Sequence, residues 1–136
     1  MTRSIADLHL HVIHVVAAGI GWGEAGKVED ATVGNALAPA LALDADGSAL
    51  FVWQQTSGLR FQVWSNGWDA SASELTARIR LDDAGTAYSP AVAMSPGGTG
   101  TAVWIQSEQA NGTPLQVAAS RYTRSSGWST PETLAE

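Results

Sequence analysis

An all-β fold of two four-stranded antiparallel sheets, preceded by an N-terminal partial sheet, is predicted by three observations. A nineteen-residue motif occurs twice: Leu37–Gln55 reads LAPALALDADGSALFVWQQ and Tyr88–Gln106 reads YSPAVAMSPGGTGTAVWIQ, aligned without a gap at an offset of 51. Inside each copy, residues alternate in character with the two-residue period of strands. Turn-forming residues punctuate the alternating runs, and 14 Gly and 5 Pro in 136 residues suit a chain with many tight turns.

The N-terminus is the least regular part. Ile5 to Ile20 is mostly apolar but is interrupted by Asp7, His9, His11 and His14, and it falls short of the ~20 apolar residues a membrane span needs. Val12–Ala18 has the character of a signal-peptide h-region, with Arg3 ahead of it and Val15-Val16-Ala17 as a cleavage-like site. A buried strand explains the same residues and is the preferred reading; the h-region tilts the expected location toward the extracellular side. The chain has no Cys, which removes disulfides and thiolate chemistry without fixing the compartment. Gly-Trp pairs recur at Gly21-Trp22, Gly67-Trp68 and Gly127-Trp128. Aligning Trp22 with Trp128 lays His11–Val16 on Val117–Tyr122, so the chain divides into a partial unit over residues 1–29, one repeat over 30–80 and a second over 81–136.

Each repeat reads as a first strand after a Pro, a turn, a second strand carrying Trp, a third strand and a fourth. In Pro39–Asp44, Leu41 and Leu43 share one face while Ala40 and Ala42 share the other; Val92 and Met94 against Ala91 and Ala93 repeat that split. A face of alanines lets a neighbouring sheet approach closely. Asp44-Ala45-Asp46-Gly47-Ser48 and Ser95-Pro96-Gly97-Gly98-Thr99 are hairpin turns. Second strands follow at Ala49–Gln55 and Gly100–Gln106, and third strands at Arg60–Trp64 and Leu115–Tyr122. Ser71 and Glu74 have the spacing of a helix capping box. However, Leu75, Ala77, Ile79 and Leu81 alternate with Thr76, Arg78, Arg80 and Asp82, which puts the apolar set on one side of a strand. A strand is therefore expected there, with Arg78 and Arg80 protecting an outer edge.

Four strands per unit at a period near 51 is the arithmetic of a β-propeller blade. The pattern Pro-Ala-x-Ala-x, Asp-x-Asp-Gly, Val-Trp-x-Gln, Ser-Arg-Tyr and Gly-Trp-Ser resembles the repeats of sialidase-like, Asp-box propellers over about residues 20–136. Asp44–Ser48 is similar to a degenerate Asp-box, and Ser95–Thr99 lacks both aspartates. The resemblance implies a propeller-type fold, in which Asp-boxes are structural turns away from the active site. Sialidases use an arginine triad, a tyrosine with a glutamate partner and an aspartate. Here Arg121 precedes Tyr122, but Arg60, Arg78 and Arg80 do not recur between copies, and two blades do not supply a site assembled from a whole ring. Ser129 and the other serines have no His within the repeats to activate them. No catalytic residue is assigned.

Other kinds of site lack their full residue set. Asp7-Leu8-His9-Leu10-His11 is similar to the opening strand of amidohydrolase-like and PHP-like metal enzymes. Those need a barrel of ~200 residues or more and further His ligands, yet all 3 His lie within residues 9–14. Asp44 and Asp46 fall short of the ~6–8 oxygens of a calcium site. No metal and no cofactor is assigned. With a formal charge of −6 and no basic cluster, the chain is not expected to bind nucleic acid. Trp53 with Trp104, and Trp22 with Trp68 and Trp128, recur with the repeat and are read as core. Trp64 has no aromatic counterpart, aligning with Ser120, and is the one ligand-contact candidate.

The expected function is a non-catalytic binding or scaffold module, with a glycan or a protein as partner. The alternative is a fragment or decayed copy of a larger sialidase-like propeller. Two blades leave faces bare, so a homo-oligomer, or a place within a larger propeller, is expected.

Overall fold

The computed structural model describes residues 11–15, 22–29, 34–83, 85–109 and 113–135. Every regular element among them is a strand, and they form one two-stranded and two larger antiparallel sheets. No helix among the described residues is long and apolar enough to cross a membrane.

At the N-terminus β1 (His11–Val15) pairs with β2 (Trp22–Lys27), and Trp22 stands opposite Val15. The first large sheet runs β3 (Ala36–Leu43), β4 (Ala49–Ser57), β5 (Arg60–Asp69), with its outer edge formed by β6 (Glu74–Leu75) and β7 (Ile79–Arg80). The second runs β8 (Thr86–Met94), β9 (Gly100–Ser107), β10 (Gln116–Thr123), edged by β11 (Gly127–Trp128) and β12 (Glu132–Ala135). Each sheet is a meander whose fourth strand is broken into two short pieces. The continuous strand expected over 71–82 is thus interrupted at 76–78, and of its four alternating apolar residues Leu81 is buried while Ile79 is 44% exposed. Leu81 and Asp82 belong to the first sheet, because the Leu81 N–H donates to the Val63 carbonyl and the Val63 N–H to the Asp82 carboxylate.

The offset of 51 is reproduced in the backbone. A bulge interrupts the β3–β4 ladder between Leu37 and Ala40, and the β8–β9 ladder between Tyr88 and Ala91. Ala38 and Ser89 inside these bulges have φ of 50° and 54°, and each precedes a Pro; a bulge is where a strand tolerates proline. Gly34 and Gly85 match at φ 62° and 59°, and a Cβ there would lie 2.2 Å from Thr56 Oγ1 and 1.7 Å from the Ser107 carbonyl oxygen. Only glycine fits both the dihedral and the space.

The third strand of the first sheet is longer than expected, that of the second runs one residue later, and their register corrects the Gly-Trp alignment. Trp53 pairs with Trp64, whereas Trp104 pairs with Ala118, so Trp64 corresponds to Ala118 and not to Ser120. By the same count Trp68 corresponds to Tyr122, while Trp128 lies in the outer strand opposite Tyr122, as Leu75 lies opposite Trp68. Gly67-Trp68 ends a third strand and Gly127-Trp128 begins a fourth; they are similar words in different places.

The two large sheets stack face to face. Their shared core joins Val52, Val63 and Leu81 of the first sheet to Ala87, Ala102, Trp104 and Ala118 of the second, with Ala40, Val92 and Trp128 packed at its margin. Polar links cross the same boundary: the Trp128 indole N–H donates to Ser65 Oγ at 3.1 Å, the Ser89 N–H to Gln54 Oε1 at 2.9 Å and the Phe61 N–H to Thr86 Oγ1 at 3.1 Å. On its other face the first sheet holds a second core of Ala36, Ala49, Phe51 and Trp53 with Val28 from the segment after β2. Each sheet therefore has a leading face, which carries its buried Trp toward the N-terminal side of the stack, and a trailing face on the C-terminal side.

Candidate functional site

The recurring Trp-x-Gln is explained by satisfaction of a buried donor. Residues two apart on a strand share a face, so Gln55 Oε1 reaches the Trp53 indole N–H at 3.1 Å and Gln106 Oε1 reaches that of Trp104 at 2.8 Å. Both indoles are almost fully buried, where an unpaired N–H would cost about 1–3 kcal/mol. These two tryptophans are structural.

Trp64 lies on the leading face of the first sheet, half-buried against the Phe51–Trp53 cluster. Its indole N–H donates to Gln62 Oε1 at 3.2 Å, and the Arg78 guanidinium sits 5.1 Å from the ring centroid, a cation–π contact. A sugar stacking on the Arg78 side would have to displace that cation. Its counterpart Ala118 is fully buried against the first sheet, which is why the second copy has no room for an indole.

The Asp44 turn is a clasp between the sheets. Asp44 Oδ1 accepts the N–H groups of Asp46 and Ser48, each at 2.9 Å, while the Arg124 guanidinium, from the turn after β10, donates to Asp44 Oδ2 and, at 3.2 Å, to Asp46 Oδ2. Burial alone would raise the Asp44 carboxyl, but the Arg124 hydrogen bond, the Ser48 and Asp46 amides and the Arg124 charge outweigh it and hold it below its ordinary value. The same pair raises Arg124. In the second copy, Ser95 Oγ takes the place of the carboxylate, accepting the Thr99 N–H at 3.2 Å. The turns also touch each other, the Ala45 N–H donating to the Pro96 carbonyl at 3.1 Å.

Other polar groups singled out from the sequence have local partners. Ser129 Oγ accepts the Arg121 N–H at 3.1 Å and its carbonyl accepts the Ser120 hydroxyl at 2.8 Å, both within the sheet. Arg80 binds the Asp82 carboxylate, itself buried. Asp7 and His9 lie outside the described residues, and of His11 and His14 only the β1 backbone is described.

The face that these contacts leave open is the trailing face of the second sheet. It is a shallow groove of about 460 Å³ lined by Thr101, Val103, Ala119, Arg121, Glu132 and Leu134, among others. Register identifies its positions in the first sheet: Val103 corresponds to Val52, Val117 to Val63, Thr101 to Leu50 and Arg121 to Gly67. Val52 and Val63 are fully buried and Leu50 is 3% exposed, whereas Val117 is 40% and Leu134 58% exposed. Sequence reasoning expected bare faces but did not assign the residues of this one. The offset of 51 does align Leu50 with Thr101, but Val117 and Arg121 could be placed only once the third-strand offset of 54 was known from the ladders, and Leu134 only from the outer-strand pairing.

Comparison with family models, with curated proteins and with solved structures finds no match for this chain.

Proposed function

We propose that the chain is a non-catalytic scaffold or binding module built from propeller-type blades, which works by presenting a stackable sheet face to a protein partner. The observation that supports it is the internal contact: one four-stranded unit already covers the trailing face of another through Val52, Val63, Ala102 and Trp104, and the described residues leave the same face of the second unit bare. Apolar sheet faces of this kind mark interaction surfaces. The environment of Trp64, with its N–H bonded and Arg78 on its ring, weighs toward a protein partner over a glycan. The Asp-box resemblance is part of the same proposal, since Asp44 serves as a turn-pinning carboxylate.

The test is a chain extended at its C-terminus by one more copy of residues 85–135. Nearest-neighbour stacking raises the stability of a repeat array with each added unit, so the extended chain should melt higher than the parent. An added unit that melts separately and leaves the parent transition in place would sink the stacking reading.

A further inference from the structure

We infer that the cleft between the two large sheets, beside the Asp44–Arg124 clasp, binds a small organic ammonium ion with a flat apolar body, of the arylalkylamine class. The cleft follows from the sequence of the first sheet. Gly67 brings no side chain to the trailing face. A Cβ there would lie 3.0 Å from Thr76 Oγ1 and 3.1 Å from the Ala49 carbonyl oxygen, so nothing larger fits the strand at that point. After Thr76, whose N–H donates to the Gly67 carbonyl, the outer strand leaves the ladder and rejoins it at Ile79. These two omissions leave a gap facing Tyr122 and Trp128 of the second sheet. It has two lobes, of about 220 and 190 Å³, which share Leu50, Thr76 and Tyr122 in their walls.

The lobes differ in chemistry. The larger is walled by Ala77, Ile79, Tyr122 and Trp128. The Tyr122 and Trp128 rings stand 5.3 Å apart at 57°, and the Trp128 indole N–H is already bonded to Ser65 Oγ, so this lobe offers ring surface to a flat hydrocarbon body. The smaller lobe carries Asp69 and Arg124. Asp69 Oδ1 accepts all the turn bonds: the Ser71 hydroxyl at 2.6 Å, the Ser71 N–H at 2.9 Å and the Ala72 N–H at 3.3 Å. Those bonds, the Ser71 hydroxyl first, hold the carboxyl below its ordinary value. Asp69 is therefore an anion at neutral pH, and among the described residues its Oδ2 accepts no hydrogen bond. Arg124 brings a positive charge but is committed to Asp44 and Asp46. Three carboxylates thus surround one guanidinium, and Glu74 stands opposite Asp69 across the β5–β6 ladder. On a chain of net charge −6, this end of the cleft attracts a cation and turns away an anion. An ammonium, with three donors and no acceptor, suits the open oxygen of Asp69.

The test uses the full chain and three probes of one shape: phenethylamine, phenethyl alcohol and hydrocinnamate, which are cationic, neutral and anionic at neutral pH. The Trp128 indole N–H resonance, assigned by its loss in Trp128→Phe, reports filling of the apolar lobe in a nuclear magnetic resonance titration. Phenethylamine should shift it saturably, with a Kd of about 1 mM or tighter. The alcohol should bind about 5–10-fold more weakly for want of the charge-assisted bond, and hydrocinnamate should not saturate. Asp69→Asn keeps an oxygen for the turn and removes the charge. It should bring the amine down to the affinity of the alcohol and leave the alcohol unchanged. Ala77→Leu narrows the apolar lobe and should weaken amine and alcohol alike; the probe series and Asp69→Asn carry the test if that variant does not fold. No saturable shift with the amine, an alcohol or carboxylate that binds as tightly, or an amine indifferent to Asp69→Asn would overturn the proposal. The extended-chain experiment reads stacking and not ligand binding, so the two readings fail separately.

Discussion

The two repeats share a backbone and differ in what lies against them. In both, a positive-φ glycine opens the first strand, a bulge with a left-handed residue precedes the proline, a glycine near φ 85° closes the hairpin, and a glutamine caps the indole of a buried tryptophan. The residues that set those features are nearly the same in the two copies. The residues on the faces are not: Trp64 becomes Ala118 where the other sheet presses close, and Leu50, 3% exposed, becomes Thr101, exposed where no described residue covers it. Backbone geometry thus fixes one set of residues in every unit, and the neighbour of each face selects the other set.

The largest break in this comparison should come from Trp104→Ala. It empties the space between the sheets, and loss of a buried indole costs about 3–5 kcal/mol, read as a lower denaturant midpoint; a loss below about 1 kcal/mol would mean that the sheets are not held by that contact. Gly85→Ala should come next, at about 2–4 kcal/mol, since it adds a clash with the Ser107 carbonyl to a left-handed φ. Gly47→Ala, with the same kind of dihedral but nothing nearer than 4.0 Å, should cost only about 1–2 kcal/mol. Equal losses at both glycines would show that the close approach at Gly85 does not matter.

Arg124→Ala sharpens the comparison of the two turns. It leaves a carboxylate oxygen of Asp44 without its cation and should lower stability near neutral pH. Because the folded Asp44 lies below its ordinary value, the stability it contributes is present above the unfolded value, and is lost as pH falls through the lowered folded one. Removing Arg124 should therefore shrink this acid loss, the variant's deficit against wild type being full above the unfolded value and fading as pH falls through the lowered folded one, while Ser95→Ala in the other turn should leave the pH profile unchanged. Ala38→Gly is the smallest effect, a gain or loss of about 1 kcal/mol or less, as relief of the left-handed strain is set against the greater freedom of the unfolded chain.

The division between backbone-setting and face-setting residues also governs how much could be read from the sequence. Hairpin turns, first and second strands, and the split of Leu41 and Leu43 from Ala40 and Ala42 were legible, because turn chemistry and two-residue alternation are local. The tryptophan pair was legible as core, and its glutamine partner as part of the same repeat. The third strands were not, since Gly-Trp occurs at the end of one strand and the start of another, and only hydrogen-bond register separates the two. The outer strand escaped for a related reason: alternation from Leu75 to Leu81 predicts a continuous strand, but after Thr76, whose N–H donates to the Gly67 carbonyl, the chain leaves the ladder before rejoining it at Ile79. Trp64 was found by its lack of a counterpart, yet the sequence could not show Arg78 lying on its ring.

Among the described residues, equivalent faces of the two sheets are covered in one case and open in the other, and thiol accessibility reads that difference directly. The chain has no Cys, so Val63→Cys and Val117→Cys each introduce a single thiol at corresponding positions. At nanomolar protein, where copies are apart, Cys labelling at position 117 should run near the rate of a free thiol. At position 63 it should be at least about 1,000-fold slower, because that site opens only when the sheets come apart. Comparable labelling rates at the two positions would contradict the stacked arrangement.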